Sequence, residues 1–454
     1  MANILLVTPT NEIRADLQNW SSPHIGIHRI ASYLRSKDHN AKVWDTILDP
    51  SYPEEQWDII GFSITHDTLP DDLVLMRKMG AAYPDATLVA GGVEACVNYQ
   101  QIFESVPRLS YVIVGEGEEP LLALADGNCN YLDYTTSVPG SIHREYQQLS
   151  IEQFTKYNLG MDFKLMRHAE HWAITKGINP SASEIEVHCV RLNTSSFCPR
   201  SCKFCSVTFI HKMSTGKMCK PITMSSKDTK ELVSKVKRDV PSVHTIYFND
   251  DDFCIHRDKA EMFFEDPPPL RYLIQARTDT VDRALLTHMR RGGCQQVSFG
   301  LENCSQKVVD SIGKRINVEK SLEILDICLE VGIKPFALII LFCPTSTIED
   351  MAINYKRLSE LREKKIGISI MSFIRAYRGT YYFNSTHDIS WEKVKGIKRP
   401  VAVLPDDLDV RSMFFEFERR LAEKEKQLLH RWKGNTSSLM IEVLGNVLRE
   451  KGAL

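Results

Sequence analysis

Three closely spaced cysteines in the stretch SSFCPRSCKFCSV are the feature that most constrains this chain. Cys198, Cys202 and Cys205 follow a CxxxCxxC spacing, which allows one loop to bring three thiols to one centre; core cysteines without a metal are an alternative. Three thiolates can hold three irons of a 4Fe–4S cube and leave the fourth iron open to a small molecule. Zinc is the main alternative, but zinc sites usually pair CxxC with a second CxxC or an HxxxH motif, and the sequence has no such pair nearby.

Composition limits the class of protein. The chain has 454 residues, 43% of them hydrophobic and 25% charged, with a net charge of −2. This length allows two or three domains, and the charge balance gives no reason to expect a nucleic acid or an anionic membrane as partner. The longest apolar runs, such as PFALIILFCP, are too short to span a bilayer. Scattered cysteines without an N-terminal signal peptide predict free thiols and a cytoplasmic location.

The N-terminal segment, residues 1–125, alternates short apolar strands with helical patterns. The strands ILLVTP, AKVWDT, DIIGFSI, TLVAGG and YVIVGEGEE are separated by patterns such as IGIHRIASYLRSKDH. This alternation predicts a doubly wound, flavodoxin-like parallel sheet, whose ligands would sit at the carboxyl ends of the strands. Those ends are Thr8–Thr10, Ser63–Asp67, Gly91–Glu94 and Gly115–Glu118.

A second series of strands and helices follows a linker predicted at 126–185. Over 186–385, a strand in EIEVHCVRLNT leads directly into the cysteine loop, and five more strand candidates follow with room for helices between them. Six β/α units in this order resemble a partial (β/α)6 barrel, whose active site would lie at the strand carboxyl ends. Residues 386–454 are predicted to form a helical C-terminal region, with KGIKRPVAVLPDD as a loop and an apolar stripe at Met413, Phe414, Phe417, Leu421 and Leu428 packing inside the molecule.

The cysteine loop, Phe204 before its last cysteine, and the later segments FGLEN, SIGKRI and LFCPTSTIED together resemble the radical S-adenosylmethionine (SAM) superfamily. The resemblance implies that Cys198, Cys202 and Cys205 hold a 4Fe–4S cluster whose open iron chelates the amino and carboxylate groups of SAM. Two motifs depart from the family pattern: NDDD replaces the usual GGE after strand two, and the segment around Cys343 replaces the usual Gly-Leu-Pro.

The resemblance also implies SAM contacts at the other strand ends. One carboxylate among Asp250, Asp251 and Asp252, with Asp251 favoured, would accept a hydrogen bond from the SAM ammonium group. Arg277 would neutralise the SAM carboxylate, because a guanidinium fork suits a carboxylate. Glu302 would contact the ribose hydroxyls, beside a Gly300 that lets the backbone approach the ligand. The sequence does not single out a catalytic residue.

The N-terminal segment looks like the cobalamin-binding domain that precedes many radical SAM domains. The matching landmarks are ILLVTP, PHIGIHRIASYL, DIIGFS, VAGGVEA and VGEGEEP. Cobalamin is therefore expected as a cofactor, although the DxHxxG motif that supplies a cobalt ligand is absent. His24, His28 and His66 are expected to be surface or capping residues.

The resemblance implies reductive cleavage of SAM and, with cobalamin present, radical methylation of a small molecule in specialised metabolism, with a flavodoxin or ferredoxin as electron donor. Two alternatives stay open. One is transfer of an aminocarboxypropyl group to a soft acceptor such as trivalent arsenic, as in relatives that build arsinothricin. The other is a non-catalytic cobalamin or cluster sensor. Soft ligands for the first alternative would be Cys219, Cys254, Cys294, Cys304 and Cys343.

Overall fold

The computed structural model describes residues 1–10, 21–128, 135–136, 148–180, 182–207, 221–428 and 436–454. Within these ranges two parallel α/β units follow one another along the chain. The first unit contains β1 (Asn3–Val7), α1 (Ile25–Arg35), β2 (Asn40–Trp44), β3 (Ile59–Ser63), α2 (Leu69–Ala82), β4 (Thr87–Gly91), α3 (Val93–Ser105), β5 (Leu109–Ile113), α4 (Glu118–Ala125) and β6 (Thr135–Thr136).

The first sheet is doubly wound, as the alternating pattern predicts. Its strand order is β2–β1–β3–β4–β5–β6, with parallel pairing throughout except at the short edge strand β6. The order reverses between β1 and β3, and such a switch point opens a crevice at the strand carboxyl ends. Ile4, Leu6, Ile60 and Leu88 are buried on its two faces, because helices cover both sides of a parallel sheet.

Short helices connect the two units. They are α5 (Ile151–Leu159), a 3-10 turn (Phe163–Met166), α6 (His168–Ile178) and α7 (Glu184–Val187). Ser150 and Ser183 begin α5 and α7 with reciprocal capping boxes, which satisfy amide groups at the helix starts. The segment EIEVHCVRLNT is predicted as a strand from its start, but its first residues form the helix α7. Parts of the predicted linker lie outside the described residues.

The second unit confirms the barrel-like order of strands and helices. Its elements are β7 (Cys189–Leu192), β8 (Ser195–Ser196), β9 (Ile222–Thr223), α8 (Ser226–Asp239), β10 (Thr245–Phe248), α9 (Arg257–Glu265), β11 (Arg271–Ala276), a 3-10 turn (Thr278–Thr280), α10 (Arg283–Arg291), β12 (Cys294–Glu302), α11 (Gln306–Ser311), α12 (Val318–Val331), β13 (Lys334–Phe342), α13 (Ile348–Glu363) and β14 (Gly367–Phe373). The order β7–β10–β11–β12–β13–β14 is parallel throughout. Asn317 caps α12, which ends at the left-handed Gly332.

The C-terminal region contains a hairpin and two helices. Its elements are β15 (Ile389–Val394), β16 (Ile397–Val403), α14 (Leu408–Leu428) and α15 (Thr436–Glu450). The prediction that KGIKRPVAVLPDD forms a loop is wrong, because β15 and β16 pair as an antiparallel hairpin there. The predicted apolar stripe is confirmed: Phe414 and Phe417 pack on Phe342 of β13. The side chain of Leu428 lies outside the described residues.

Loops at the carboxyl ends of the two sheets meet. Arg375, which follows β14, pairs with Asp67, which follows β3. On the hairpin, the Pro400 carbonyl oxygen lies 3.1 Å from His66 Nε2, and Arg399 donates to the Asp67 carbonyl oxygen at 2.6 Å. The ligand-binding edges of both parallel sheets therefore share one interface. No helix in the described ranges is long and apolar enough to cross a membrane.

Candidate active site between the two sheets

The cysteine loop leaves the carboxyl end of β7, where a barrel active site is expected. Cys198 and Cys205 are half-buried and Cys202 is buried, and none of them is in a disulfide. The Cys205 amide donates to the Cys202 carbonyl oxygen at 3.1 Å, which forms a tight turn. The structure therefore leaves all three predicted ligands as thiols on one loop.

Asp250 anchors the first part of this loop. Its Oδ1 accepts hydrogen bonds from the Thr194 amide at 2.6 Å and the Ser195 amide at 2.8 Å, and its Oδ2 accepts one from Thr194 Oγ1 at 2.5 Å. Lys259 Nζ also donates to Thr194 Oγ1 at 2.8 Å. Both oxygens of this buried carboxylate therefore accept hydrogen bonds from the start of the cysteine loop.

The far part of the loop rests on the segment after α11. The Lys203 amide donates to the Ile312 carbonyl oxygen at 2.9 Å, and Lys203 Nζ donates to the Ser311 carbonyl oxygen at 2.8 Å. The Phe204 ring packs against an apolar cluster that includes Ile312 and Tyr382. These contacts fix the loop on the opposite side from Asp250.

Two buried cations lie beside Cys202. Arg277 makes a two-pronged ion pair with Asp279, at 2.8 and 3.0 Å, and donates to the Lys314 carbonyl oxygen at 2.9 Å. Burial alone would lower the pKa of Lys314, but Glu302 and Cys202 raise it. Cationic surroundings stabilise thiolates, the form that binds iron. The residues present therefore fit a cluster at this loop, with Arg277 already paired to Asp279.

Asp251 and Asp252 lie close to Cys198, whose pKa is raised by burial and by both carboxylates. Asp252 Oδ1 accepts from Thr280 Oγ1 at 3.1 Å, whereas its Oδ2 is buried without a hydrogen-bond partner. Asp251 has an exposed side chain, and its pKa is raised to about 6 by desolvation at the crowded strand end and by the neighbouring carboxylates. Unlike Asp250, these two residues keep acceptor capacity for an ammonium group.

Glu302 is held by an unusual backbone. Its φ of 64° is left-handed, and the pairing of β12 with β13 shifts between Gly300 and Glu302. Such bulges redirect a side chain next to active sites. Glu302 Oε1 accepts from Lys314 Nζ at 2.8 Å across Gly300, where a Cβ would lie 2.4 Å from both atoms. A side chain at position 300 would therefore displace the ends of Glu302 and Lys314 and disturb their ion pair.

A cleft of about 270 Å³ opens at the carboxyl ends of the first sheet. Apolar side chains such as Leu6, Ile30 and Phe62 line it together with six glycines: Gly26, Gly61, Gly91, Gly92, Gly115 and Gly117. Gly92 has a φ of 93°, and a Cβ there would lie 2.7 Å from the Ile64 carbonyl oxygen. The buried Arg29 pairs with Glu116 and Glu118 at 2.5 Å each at the rim. An apolar cleft in which glycines leave the backbone open to close approach fits part of a large, flat cofactor such as cobalamin.

The three histidines of the first unit differ from expectation in part. His24 caps α1 by accepting from the Ile27 amide, as a capping residue should, and it lines the cleft. The expectation of surface or capping positions is wrong for the other two. His28 is buried, which lowers its pKa to about 4, and His66 is buried against the edge of the Tyr377 ring. Packing between the two units buries His66, which a single-domain pattern cannot anticipate.

We expect a Gly91→Leu substitution to weaken cobalamin binding about tenfold or more, because the added side chain would occupy the glycine-lined cleft. A Cβ at position 91 has only the Phe62 carbonyl oxygen at 4.0 Å, so the fold should tolerate it. Equilibrium binding followed by the cobalamin absorption spectrum measures the effect. Gly177→Leu, at a position with no atom within 4 Å of its Cβ, is the matched control. Unchanged affinity of the Gly91 variant would contradict the assignment of this cleft.

The additional cysteines offer little to a soft acceptor. Cys254, Cys294, Cys304 and Cys343 are buried, and burial raises the pKa of each thiol. Cys254 Sγ contacts Met289 Sδ at 4.0 Å within the core. Cys219 lies outside the described residues. The four described thiols thus behave as small buried hydrophobic groups.

Sequence reasoning missed several residues of this site. Lys314 lies within the quoted SIGKRI segment, but nothing in the sequence indicates that it would reach Glu302. Thr194 and Lys259 complete the loop anchor around Asp250. Arg378 lies 3.7 Å from the buried Glu94, which follows β4, at the interface of the two sheets. Only the tertiary structure brings these groups together.

Two family matches divide the chain in the same way as the two sheets. Residues 21–125 match the B12 binding domain, and residues 192–358 match the Radical SAM superfamily. An uncharacterized methyltransferase of Pyrococcus horikoshii is 21% identical over 407 residues, which cover 84% of this chain and 82% of that protein. An anaerobic magnesium-protoporphyrin IX monomethyl ester cyclase of Rubrivivax gelatinosus is 22% identical over 74% of this chain, but the match spans only 62% of the cyclase.

Solved structures share the fold along most of the chain. The radical SAM methyltransferase TsrM from Kitasatospora setae, with cobalamin and a 4Fe–4S cluster bound, has a TM-score of 0.62 and 14% identity over 89% of this chain and 79% of its own. The cobalamin-dependent radical SAM enzyme OxsB, with aqua-cobalamin and SAM bound, has a TM-score of 0.68 and 15% identity over 97% of this chain and 70% of its own. Both likenesses concern the fold.

Proposed function

We propose that this chain, a member of the radical SAM superfamily with a B12-binding domain ahead of its radical SAM domain, methylates an unactivated carbon or phosphorus of a small molecule. Its cofactors are a 4Fe–4S cluster, SAM and cobalamin. The observation that carries the proposal is the contact between the carboxyl-end loops of the two sheets, through Arg375 and Asp67. This contact places the glycine-lined cleft and the cysteine loop on one shared interface.

The residues at this interface have distinct proposed roles. When bound, the cluster supplies the electron for cleaving SAM, and cobalamin supplies a methyl carrier. Cys198, Cys202 and Cys205 hold the cluster, while Asp251 and Asp252 orient the SAM ammonium group. Glu302 positions the ribose from its bulged strand end. A small-molecule substrate would enter between the two sheets, and a flavodoxin or ferredoxin would deliver the electron from outside.

The fate of SAM tests the reaction. Protein with a reconstituted cluster is reduced without oxygen, with and without cobalamin, and SAM products are measured by mass spectrometry. We expect 5′-deoxyadenosine together with S-adenosylhomocysteine, the latter only with cobalamin. Mainly 5′-methylthioadenosine would instead support aminocarboxypropyl transfer and reject methylation. No consumption of SAM would favour a sensor. In the Gly91→Leu variant, S-adenosylhomocysteine should fall while the cluster content stays unchanged.

SAM affinity should depend on pH through Asp251. Its pKa of about 6 means that the carboxylate forms between pH 5 and 7.5, and only the ionised form attracts the SAM ammonium group strongly. We expect SAM binding to tighten about tenfold over this range, in proportion to the ionised fraction. Equilibrium dialysis with the cluster-loaded protein measures it. Asp251→Asn should flatten the dependence, and Asp258→Asn, at an exposed helix position, should leave it intact. If SAM affinity depended on pH equally in both variants, a group other than Asp251 would be responsible for the pH dependence.

A further inference from the structure

Two histidines and a glutamate converge at the amino ends of β7 and β10, on the barrel face opposite the cysteine loop. One imidazole nitrogen each from His188 and His244 and one carboxylate oxygen from Glu184 lie within 4.8 Å of one another. From this arrangement we propose that Glu184, His188 and His244 bind a zinc ion, separate from the cluster and its chemistry. Nitrogen and carboxylate ligands of this kind suit zinc.

The distances are close to those that zinc requires. Tetrahedral zinc with bonds of about 2.1 Å separates its ligand atoms by about 3.4 Å. Glu184 Oε2 already lies 3.5 Å from His188 Nε2. The third ligand atom has to approach by about 1 Å, which side-chain rotation supplies because Glu184 and His244 are exposed. An ordinary helical Glu–His pair would explain Glu184 and His188, but not the convergence of His244 on both.

His188 is oriented as a metal ligand should be. Its Nδ1 lies 3.2 Å from the Ser242 carbonyl oxygen, which can only accept, so Nδ1 carries a proton and Nε2 is the nitrogen that faces Glu184. The ring is stacked between Trp172 and His244, with centroids 4.8 Å apart on each side. Trp172 is itself fixed by its Nε1 bond to the Cys189 carbonyl oxygen at 3.0 Å. The His188 ring plane is therefore set before a metal binds, whereas the His244 ring has to rotate out of its stack on His188 to share the metal.

The surroundings allow a metal to enter and to complete its coordination. A surface cleft of about 670 Å³ lies beside the three proposed zinc ligands. Glu184 and His244 line it together with Lys237 and Arg271. Three protein ligands leave a fourth position for water from this cleft. The His244 amide donates to the His188 carbonyl oxygen at 3.0 Å, so bound zinc would tie α7 to the first two barrel strands. Zinc bound only by the native state would stabilise the fold.

Zinc titration of the full-length protein tests the proposal. The cluster is reconstituted first, so that the cysteines are occupied, and zinc per chain is then measured by elemental mass spectrometry after unbound metal has been removed by desalting. We expect one zinc per chain with a Kd below about 1 µM, and a thermal midpoint that rises by several degrees. His244→Gln should weaken zinc binding about 100-fold and remove the rise, and the exposed Glu184→Gln about tenfold.

His256→Gln, another exposed histidine outside this group, is the matched control and should bind zinc as the wild type does. Equal iron content and circular dichroism in all variants would show that folding and the cluster are intact. The proposal is overturned if cluster-loaded wild type retains no zinc. It is also overturned if the His244 variant binds zinc as tightly as the control, because the metal would then lie elsewhere.

Discussion

We expect the Cys202→Ala variant to lose its cluster and its ability to cleave SAM while still binding cobalamin. Removing groups that merely support a metal ligand already costs about 10- to 100-fold in metal affinity, so removing a direct ligand should cost at least about 100-fold. Cobalamin binding should persist, because the glycine-lined cleft belongs to the first sheet and shares no residue with the cysteine loop. Iron content, SAM turnover and cobalamin binding are the three measurements.

Cys189→Ala provides a matched control on the strand that leads into the loop. Cys189 is buried in β7, and its Sγ lies 4.0 Å from the Val190 carbonyl oxygen. The control should retain iron and turnover, with only a modest loss of stability from the missing sulfur. Iron retention in Cys202→Ala equal to that of the control would refute the ligand assignment. Joint loss of iron and cobalamin would instead indicate that the substitution disrupts the fold.

The strands and the cysteine loop could be predicted because their signals are local. Buried parallel strands appear in the sequence as apolar runs, and the CxxxCxxC spacing keeps the three cysteines within one short segment. Asn317 and Gly332, which are residue types typical of helix ends, likewise stand at the two ends of α12. Such features depend on neighbouring residues along the chain, so no tertiary information was needed to find them.

The missed features depend on contacts between distant segments. Three successive aspartates follow β10, and only the turn geometry decides that Asp250 points inward while Asp251 faces solvent. Lys314 meets Glu302 because the bulge in β12 turns that side chain toward the loop after α11. The hairpin β15–β16 escaped detection because Pro400 and several lysines interrupt its pattern, and proline is confined to strand positions that need no amide donor.

Substitutions of the adjacent residues Asp250 and Asp251 should affect different cofactors, the cluster in the first case and SAM in the second. We expect Asp250→Ala to reduce cluster content severalfold and to lower the free energy of unfolding by about 3 kcal/mol. The substitution leaves the Thr194 and Ser195 amides without their acceptor, and an unsatisfied buried donor costs about 1–3 kcal/mol. The anchor of the cysteine loop would then be lost. Iron analysis and chemical denaturation measure the two effects.

Asp251→Ala is the internal control for this prediction, since the same residue type is removed one position further along. Its side chain is exposed, so the cluster and the unfolding free energy should change little while SAM affinity falls. The opposite result, with iron lost only in Asp251→Ala, would make Asp250 the SAM contact and reject its role as an anchor. Loss of SAM affinity in Asp250→Ala at full cluster occupancy would have the same meaning. A buried carboxylate with hydrogen bonds to both of its oxygens is expected to position the loop, whereas its exposed neighbour is left to meet the ligand.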